Sequence, residues 1–145
     1  MVRGVRREQT TETSDDGPRY APPKETGQMP HVVIEEALDL RAACAGIKPS
    51  VVRNGGEILK VVDLYLNQSG RTALVDCVAI EEGHSQSFFV LLSQKDRQIT
   101  VRLLPATDPE KTPAVKRLMA LIARQLHELI GGSHFGKTNL QEFLE

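Results

Sequence analysis

The sequence predicts an α+β fold in which a four-stranded antiparallel meander is flanked by helices. Four short apolar segments rich in β-branched residues follow one another, separated by polar turns, and this pattern is typical of a meander. Apolar residues at helical spacing occur both before and after them. The four predicted strands are Glu57–Leu66, Arg71–Ile80, Ser87–Leu92 and Gln98–Leu104. A length of 145 residues fits one domain.

The first 30 residues are predicted to form a disordered arm, because they are rich in charged residues, Thr, Ser and Pro and hold little to bury. The arm carries Arg3, Arg6, Arg7 and Tyr20 as candidate partner contacts. No apolar stretch follows the basic residues, so we expect no secretory signal and a cytoplasmic location. No apolar run approaches the roughly 20 residues that span a bilayer, so no membrane partner is expected.

A helix is predicted from His31 to about Ala45. Its apolar residues recur at helical spacing, Pro30 precedes the run and Gly46 ends it. Residues 46–56 are predicted to be a loop because they contain Pro49 and two consecutive glycines. The next segment, Glu57–Leu66, would also suit a helix, and its β-branched residues favour the strand.

The two middle strands are apolar on both faces. Val75, Cys77 and Ala79 point one way, whereas Leu74 and Val78 point the other way. The last strand alternates cleanly, so one of its faces should be wet. Two apolar faces need two covers, and the second cover is either a helix or another subunit. We therefore expect a homodimer.

A long helix is predicted over residues 112–130, with Thr112 as N-cap, Pro113 at its first position and Gly131-Gly132 at its end. A short terminal helix is predicted over 139–145. This organisation gives an arm at 1–30, a domain at 31–130, and a glycine-rich connector with an amphipathic helix at 131–145.

Residues 131–138 match the phosphate-binding pattern G-x-x-x-x-G-K-S/T. The candidate phosphate ligands are Gly131, Gly136, Lys137 and Thr138. Such a loop works between a buried strand and a helix of a parallel sheet, and here it would follow a helix beside an antiparallel sheet. In the alternative interpretation the glycines end the long helix, and Thr138 with Gln141 forms a capping box.

Leu140, Phe143 and Leu144 fall on one face of the predicted terminal helix. So short a helix must dock on its own domain, on a sister subunit or in the groove of a partner. The three residues are therefore the candidate partner contacts.

Other chemistry is weakly indicated. The four histidines lack metal-ligand spacing, so no metal and no cofactor is expected. Cys44 and Cys77 lie in apolar runs and suit a core better than a reactive site. Glu81, Glu82 and His84 could support acid–base chemistry at a turn, although charged turns are common.

The leading hypothesis is a non-catalytic protein-interaction module: an adaptor, a chaperone-like protein or a regulatory subunit. One alternative is a nucleotide- or phosphate-binding protein that uses residues 131–138. Another is nucleic-acid binding through the basic arm and the helix face of Lys116, Arg117 and Arg124. The net charge of −1 gives bulk electrostatics no preference for nucleic acid.

Overall fold

A computed structural model describes residues 29–144 as a curved, seven-stranded antiparallel sheet with three helices. The strands are β1 (His31–Glu35), β2 (Ser50–Asn54), β3 (Glu57–Leu66), β4 (Thr72–Glu81), β5 (His84–Lys95), β6 (Gln98–Leu103) and β7 (His134–Thr138). The helices are α1 (Leu40–Cys44), α2 (Pro113–Leu129) and α3 (Gln141–Leu144). The strand order β2-β3-β4-β5-β6-β1-β7 forms a half-barrel. The predicted arm lies outside the described residues, except for its last two positions.

The predicted fold class is wrong. The part of the chain that the structure describes is mostly sheet, and its longest helix, α2, has 17 residues. The four predicted strands are present as β3 to β6, but they form only the middle of a larger sheet. Three strands replace other predictions: β1 replaces the first part of the first helix, of which only α1 is helical, β2 replaces part of the loop at 46–56, and β7 replaces part of the glycine-rich connector.

The predicted first helix fails because β1 is fixed by residues far away in the chain. β1 lies between β6 and β7, and Val33 faces Thr100 in the β6 register. Val32 and Ile34 point into the core with no exposed surface. Glu36 then has a φ of 57°, which a helix does not allow. Local spacing at 3.6 residues could not reveal these pairings, although three consecutive β-branched residues do favour a strand.

The predicted loop at 46–56 fails because it contains the first arm of a hairpin. Ser50 to Asn54 pair with Val61 to Glu57 across the two-residue turn Gly55-Gly56. Gly55 has a φ of +64°, as the first central position of a type II′ turn requires. An Asn-Gly-Gly sequence between two β-branched runs is a hairpin signal, so the sequence itself favours a hairpin here over the predicted loop.

All three helices pack on one side of the sheet, which we call the inner face. Alternate residues of the strands point to this face and form a single buried cluster with residues of α1, α2 and α3. In β4 the inner residues are Ala73, Val75, Cys77 and Ala79, as the alternation predicted. The opposite side, the outer face, has no helix of the described residues against it. The wet face predicted for the last strand is confirmed, since Gln98 and Arg102 are exposed.

The two adjacent phenylalanines of β5 allow a matched test of the two faces. Phe88 is 2% exposed in the core, whereas Phe89 is half-buried on the outer face. We expect Phe88→Ala to lower the free energy of unfolding by about 3–5 kcal/mol, because it leaves a cavity. Phe89→Ala should cost far less, since no cavity forms. Urea unfolding of both variants measures the difference, and equal losses would contradict this assignment of the faces.

Candidate functional site

The outer face carries an apolar cluster at its centre, formed by Tyr65, Leu74, Phe89 and Leu91. We call these four residues the outer cluster. Tyr65 faces Leu74 across β3 and β4, and Leu74 faces Leu91 across β4 and β5. The rings of Tyr65 and Phe89 are tilted, with centroids 6.5 Å apart. Tyr65 is 53% exposed, and the other three side chains are only half-buried.

A second apolar group lies on the same face nearer the β2 edge. It consists of Ile58, Val78 and Ile80, with Ile58 directly opposite Ile80. None of the three belongs to the buried core cluster. The outer face therefore carries two apolar groups on β3, β4 and β5, beside polar residues of the same face such as Lys60 and Ser87. Exposed apolar groups that polar residues surround commonly mark a place where another molecule packs.

Two carboxylates separate the two apolar groups. Asp63 and Asp76 are directly opposite each other in the β3–β4 register. Like charges at opposed positions destabilise a sheet. The Asp63 carboxylate accepts a hydrogen bond from the Leu64 N–H at 2.8 Å, next to a bulge in β3. Among the described residues neither aspartate has a cation within salt-bridge distance.

On the inner side, a groove of about 320 Å³ separates β2 from α2 and α3. Val52 and Asn54 form one wall, and Leu121, Arg124 and Phe143 form part of the other. At its end, Arg117 Nε donates to both carboxylate oxygens of the buried Glu57, at 2.9 and 3.1 Å. This hydrogen bond raises the pKa of Arg117.

These contacts bear on the basic helix face considered for nucleic-acid binding. Arg117 is paired with Glu57, and its guanidinium lies 5.7 Å from the centre of the Phe143 ring. Arg124 Nη1 donates to the Phe143 carbonyl at 2.7 Å and so holds α3 against α2. Two of the three cations on that face therefore have structural partners within the domain. The nucleic-acid hypothesis stays a prediction with no geometric support.

The residues that match the phosphate-binding pattern form a strand. Gly136, Lys137 and Thr138 belong to β7, which pairs with β1 at the edge of the sheet. The Thr138 hydroxyl donates to the His31 carbonyl at 2.7 Å and accepts from the Leu140 N–H at 2.9 Å. The Glu35 carboxylate lies where a side chain at Gly136 would extend, and it is 3.4 Å from the His134 ring. Gly131 lies before the strand, at the end of α2.

This arrangement does not form a cradle of backbone N–H groups around a phosphate, and a carboxylate lies beside it. We expect neither inorganic phosphate nor Mg²⁺-ATP to change the melting temperature of the wild type or of Lys137→Ala. A ligand at a hundredfold excess over its Kd would stabilise the protein by about 2.7 kcal/mol. A thermal shift in the wild type that Lys137→Ala abolishes would restore the phosphate-site hypothesis.

The candidate contacts of the terminal helix are packed in their own domain. Leu140 is 1% exposed and Leu144 is 8% exposed, and both belong to the core cluster. Phe143 is half-buried and lines the groove. Gln141 begins α3, so the predicted capping box is replaced by the single bond from the Leu140 N–H to Thr138. A partner could reach these residues only after α3 detaches, and their role in binding stays a prediction.

No group of three or more metal-ligating side chains comes together within residues 29–144. Cys44 and Cys77 are both buried and free. Burial raises the pKa of Cys44 to about 11. Burial and the neighbouring Asp76 charge raise the pKa of Cys77 to about 12. Neither thiol is therefore a nucleophile near neutral pH.

The raised pKa values of the two buried thiols predict a loss of stability at alkaline pH. An unfolded thiol has a pKa near 9.0, whereas folding raises the pKa of Cys44 to about 11 and that of Cys77 to about 12. Between these values the folded state holds more protons, so the free energy of unfolding falls as pH rises. Urea unfolding at about pH 8 and about pH 10 should show this fall. It should be smaller when Cys44→Ala and Cys77→Ala are combined, and an unchanged pH dependence would contradict the assignment.

Comparison with known proteins does not assign this chain to a family. No family model, no curated protein and no solved structure matches the chain. None of the described helices is long and apolar enough to cross a membrane. Any functional conclusion therefore depends on the surfaces of the molecule itself.

Proposed function

We propose that this chain is a non-catalytic protein-interaction module that docks a protein partner on its outer face. The outer cluster carries the proposal, because it places two aromatic and two leucine side chains together where no helix of the described residues covers them. Aromatic side chains contribute strongly to protein interfaces, since they bury a large area at small entropic cost.

The partner should be apolar at the centre and basic beside it. Asp63 and Asp76 lie next to the outer cluster, and each is left without a cation among the described residues. An Arg or Lys of the partner would relieve the repulsion between the two carboxylates. Charge complementarity of this kind favours the correct partner and orients it.

A second copy of this chain fits the outer face poorly. In a two-fold symmetric interface the same patch faces itself, so groups near its centre meet their own copies. Asp63 and Asp76 lie between the two apolar groups, and a face-to-face dimer would bring four carboxylates together. We therefore propose a different protein for the outer face. The homodimer expected from the sequence stays a prediction and needs another surface.

Site-specific photo-crosslinking in living cells tests the docking surface even when the partner is unidentified. A photoreactive phenylalanine analogue at Phe89 should give a covalent adduct of discrete mass. The matched control is the same analogue at Gln98, which lies on the same face of β6 and outside the outer cluster. Mass spectrometry of the adduct identifies the partner.

Charge reversal then tests the expected chemistry of that partner. Combining Asp63→Lys with Asp76→Lys should reduce adduct formation about tenfold or more, because like-charge contacts cost on the order of several kcal/mol. The melting temperature should change little, because one opposed pair of like charges replaces another. No adduct at position 89, or equal adducts at 89 and 98, would contradict the proposal. An adduct of twice the chain mass would show that a second copy covers this face.

A further inference from the structure

Strand β2 is an open edge of the sheet that residues 29–144 form. It is the first strand in the order, and among these residues it pairs with β3 alone. Four of its five residues, 51–54, are exposed, with Val51 at 52% and Val52 at 39%. An open edge presents unpaired N–H and C=O groups to any strand that approaches.

The other open edges of the described sheet carry more features that discourage pairing than β2 does. The β7 edge has a register shift against β1 and the exposed Lys137 in its five residues. The second half of β3, beyond the end of β2, has a bulge next to the exposed Asp63. Bulges and charges of this kind are common protections of edge strands. The β2–β3 register is regular, β2 contains neither Pro nor Lys, and its one charged residue is the exposed Arg53.

The pairing pattern shows which groups of β2 are available. The Gly56 carbonyl accepts a hydrogen bond from the Glu82 N–H at 3.0 Å. The backbone N–H and C=O groups of Gly56 therefore point to β4, and those of its neighbour Glu57 point to β2. Because backbone groups alternate between the two sides of a strand, Asn54, Val52 and Ser50 form the bonds to β3. The N–H and C=O groups of Val51 and Arg53 consequently point away from the sheet.

We propose that β2 pairs with the β2 strand of a second copy, antiparallel and about a two-fold axis at Val52. In this arrangement Val52 is opposite Val52 of the second copy as a non-hydrogen-bonded pair. Val51 is opposite Arg53 of that copy, and the outward groups of these residues exchange four hydrogen bonds. The two seven-stranded sheets become one, and both outer clusters remain accessible.

The neighbouring two-fold registers are excluded by the sequence. Centring the axis on Val51 places Pro49 opposite Arg53, at a position that must donate an N–H group, and proline has none. Centring it on Arg53 places two arginines directly opposite each other, which is unfavourable. An axis between two residues would oppose outward groups with groups already bonded to β3. Only the axis at Val52 uses all four outward groups of each strand.

Disulfide trapping of the full chain tests the register. Opposite Cα atoms of a non-hydrogen-bonded pair are about 4.5 Å apart, within the range of roughly 4.4–6.8 Å that a disulfide spans. Val52→Cys should therefore form a cross-linked dimer on mild oxidation. Leu38→Cys, at a site 54% exposed and away from the edge, is the matched control. The native cysteines are buried and should not interfere.

Two further variants separate pairing from folding. Val51→Pro removes an outward N–H group and leaves the bonds to β3 intact, as edge strands tolerate. Val52→Lys places two charges opposite each other at the axis. In analytical ultracentrifugation the wild type should sediment as a dimer of 16.0 kDa chains at micromolar concentration. Both variants should sediment as monomers with little change in melting temperature.

A wild type that stays monomeric at these concentrations would overturn the proposal. So would a dimer that persists in both variants, or cross-linking no faster at position 52 than at position 38. These outcomes are independent of the proposed function, because photo-crosslinking at Phe89 reports on a different surface. A monomer that still forms the Phe89 adduct would keep the docking face and reject the edge dimer.

Discussion

Helix α2 is the element on which the rest of this structure depends. Eight of its residues are buried, and they fill the inner side of the curved sheet. Its start is fixed by Thr112, whose hydroxyl accepts from the Val115 N–H at 3.3 Å, and by Pro113 at the first position. Without this helix the inner rows of the strands would have no common partner. The short helices α1 and α3 only complete the cover that α2 provides.

Because all three described helices pack on the inner face, the outer face of the sheet is left without a helix against it. The inner residues of β4 and the central inner residues of β5 are buried, whereas apolar residues such as Leu74, Phe89 and Leu91 on the outer face are only half-buried. A protein that needed only to fold could carry polar residues on the outer face, as β6 does at Gln98 and Arg102. The partner proposed for this face would cover apolar outer residues that the described helices leave uncovered.

The β2 edge and the outer face differ in whether they can pair with the same surface of a second copy. Strand β2 can pair with its own copy, because the uncharged Val52 lies on the two-fold axis. Val51 is then opposite Arg53 of the second copy, and Arg53 is opposite Val51. The outer face has carboxylates near its centre and cannot face itself at low cost. Edge pairing of two copies and face docking of another protein are therefore compatible. The resulting dimer would present two docking faces to its partners.

The local pattern of the sequence determined much of the middle of the fold. Alternation and turns located β3 to β6, and the Thr112-Pro113 cap located the start of α2, because these signals depend on neighbouring residues. The two apolar faces of β4 and β5 were also visible, and so was the burial of both cysteines. Only the tertiary structure decided β1 and β7, since the strands that hold them lie far away in the chain. It also decided that all three helices share one face, because amphipathic spacing shows that a helix packs without showing on which side.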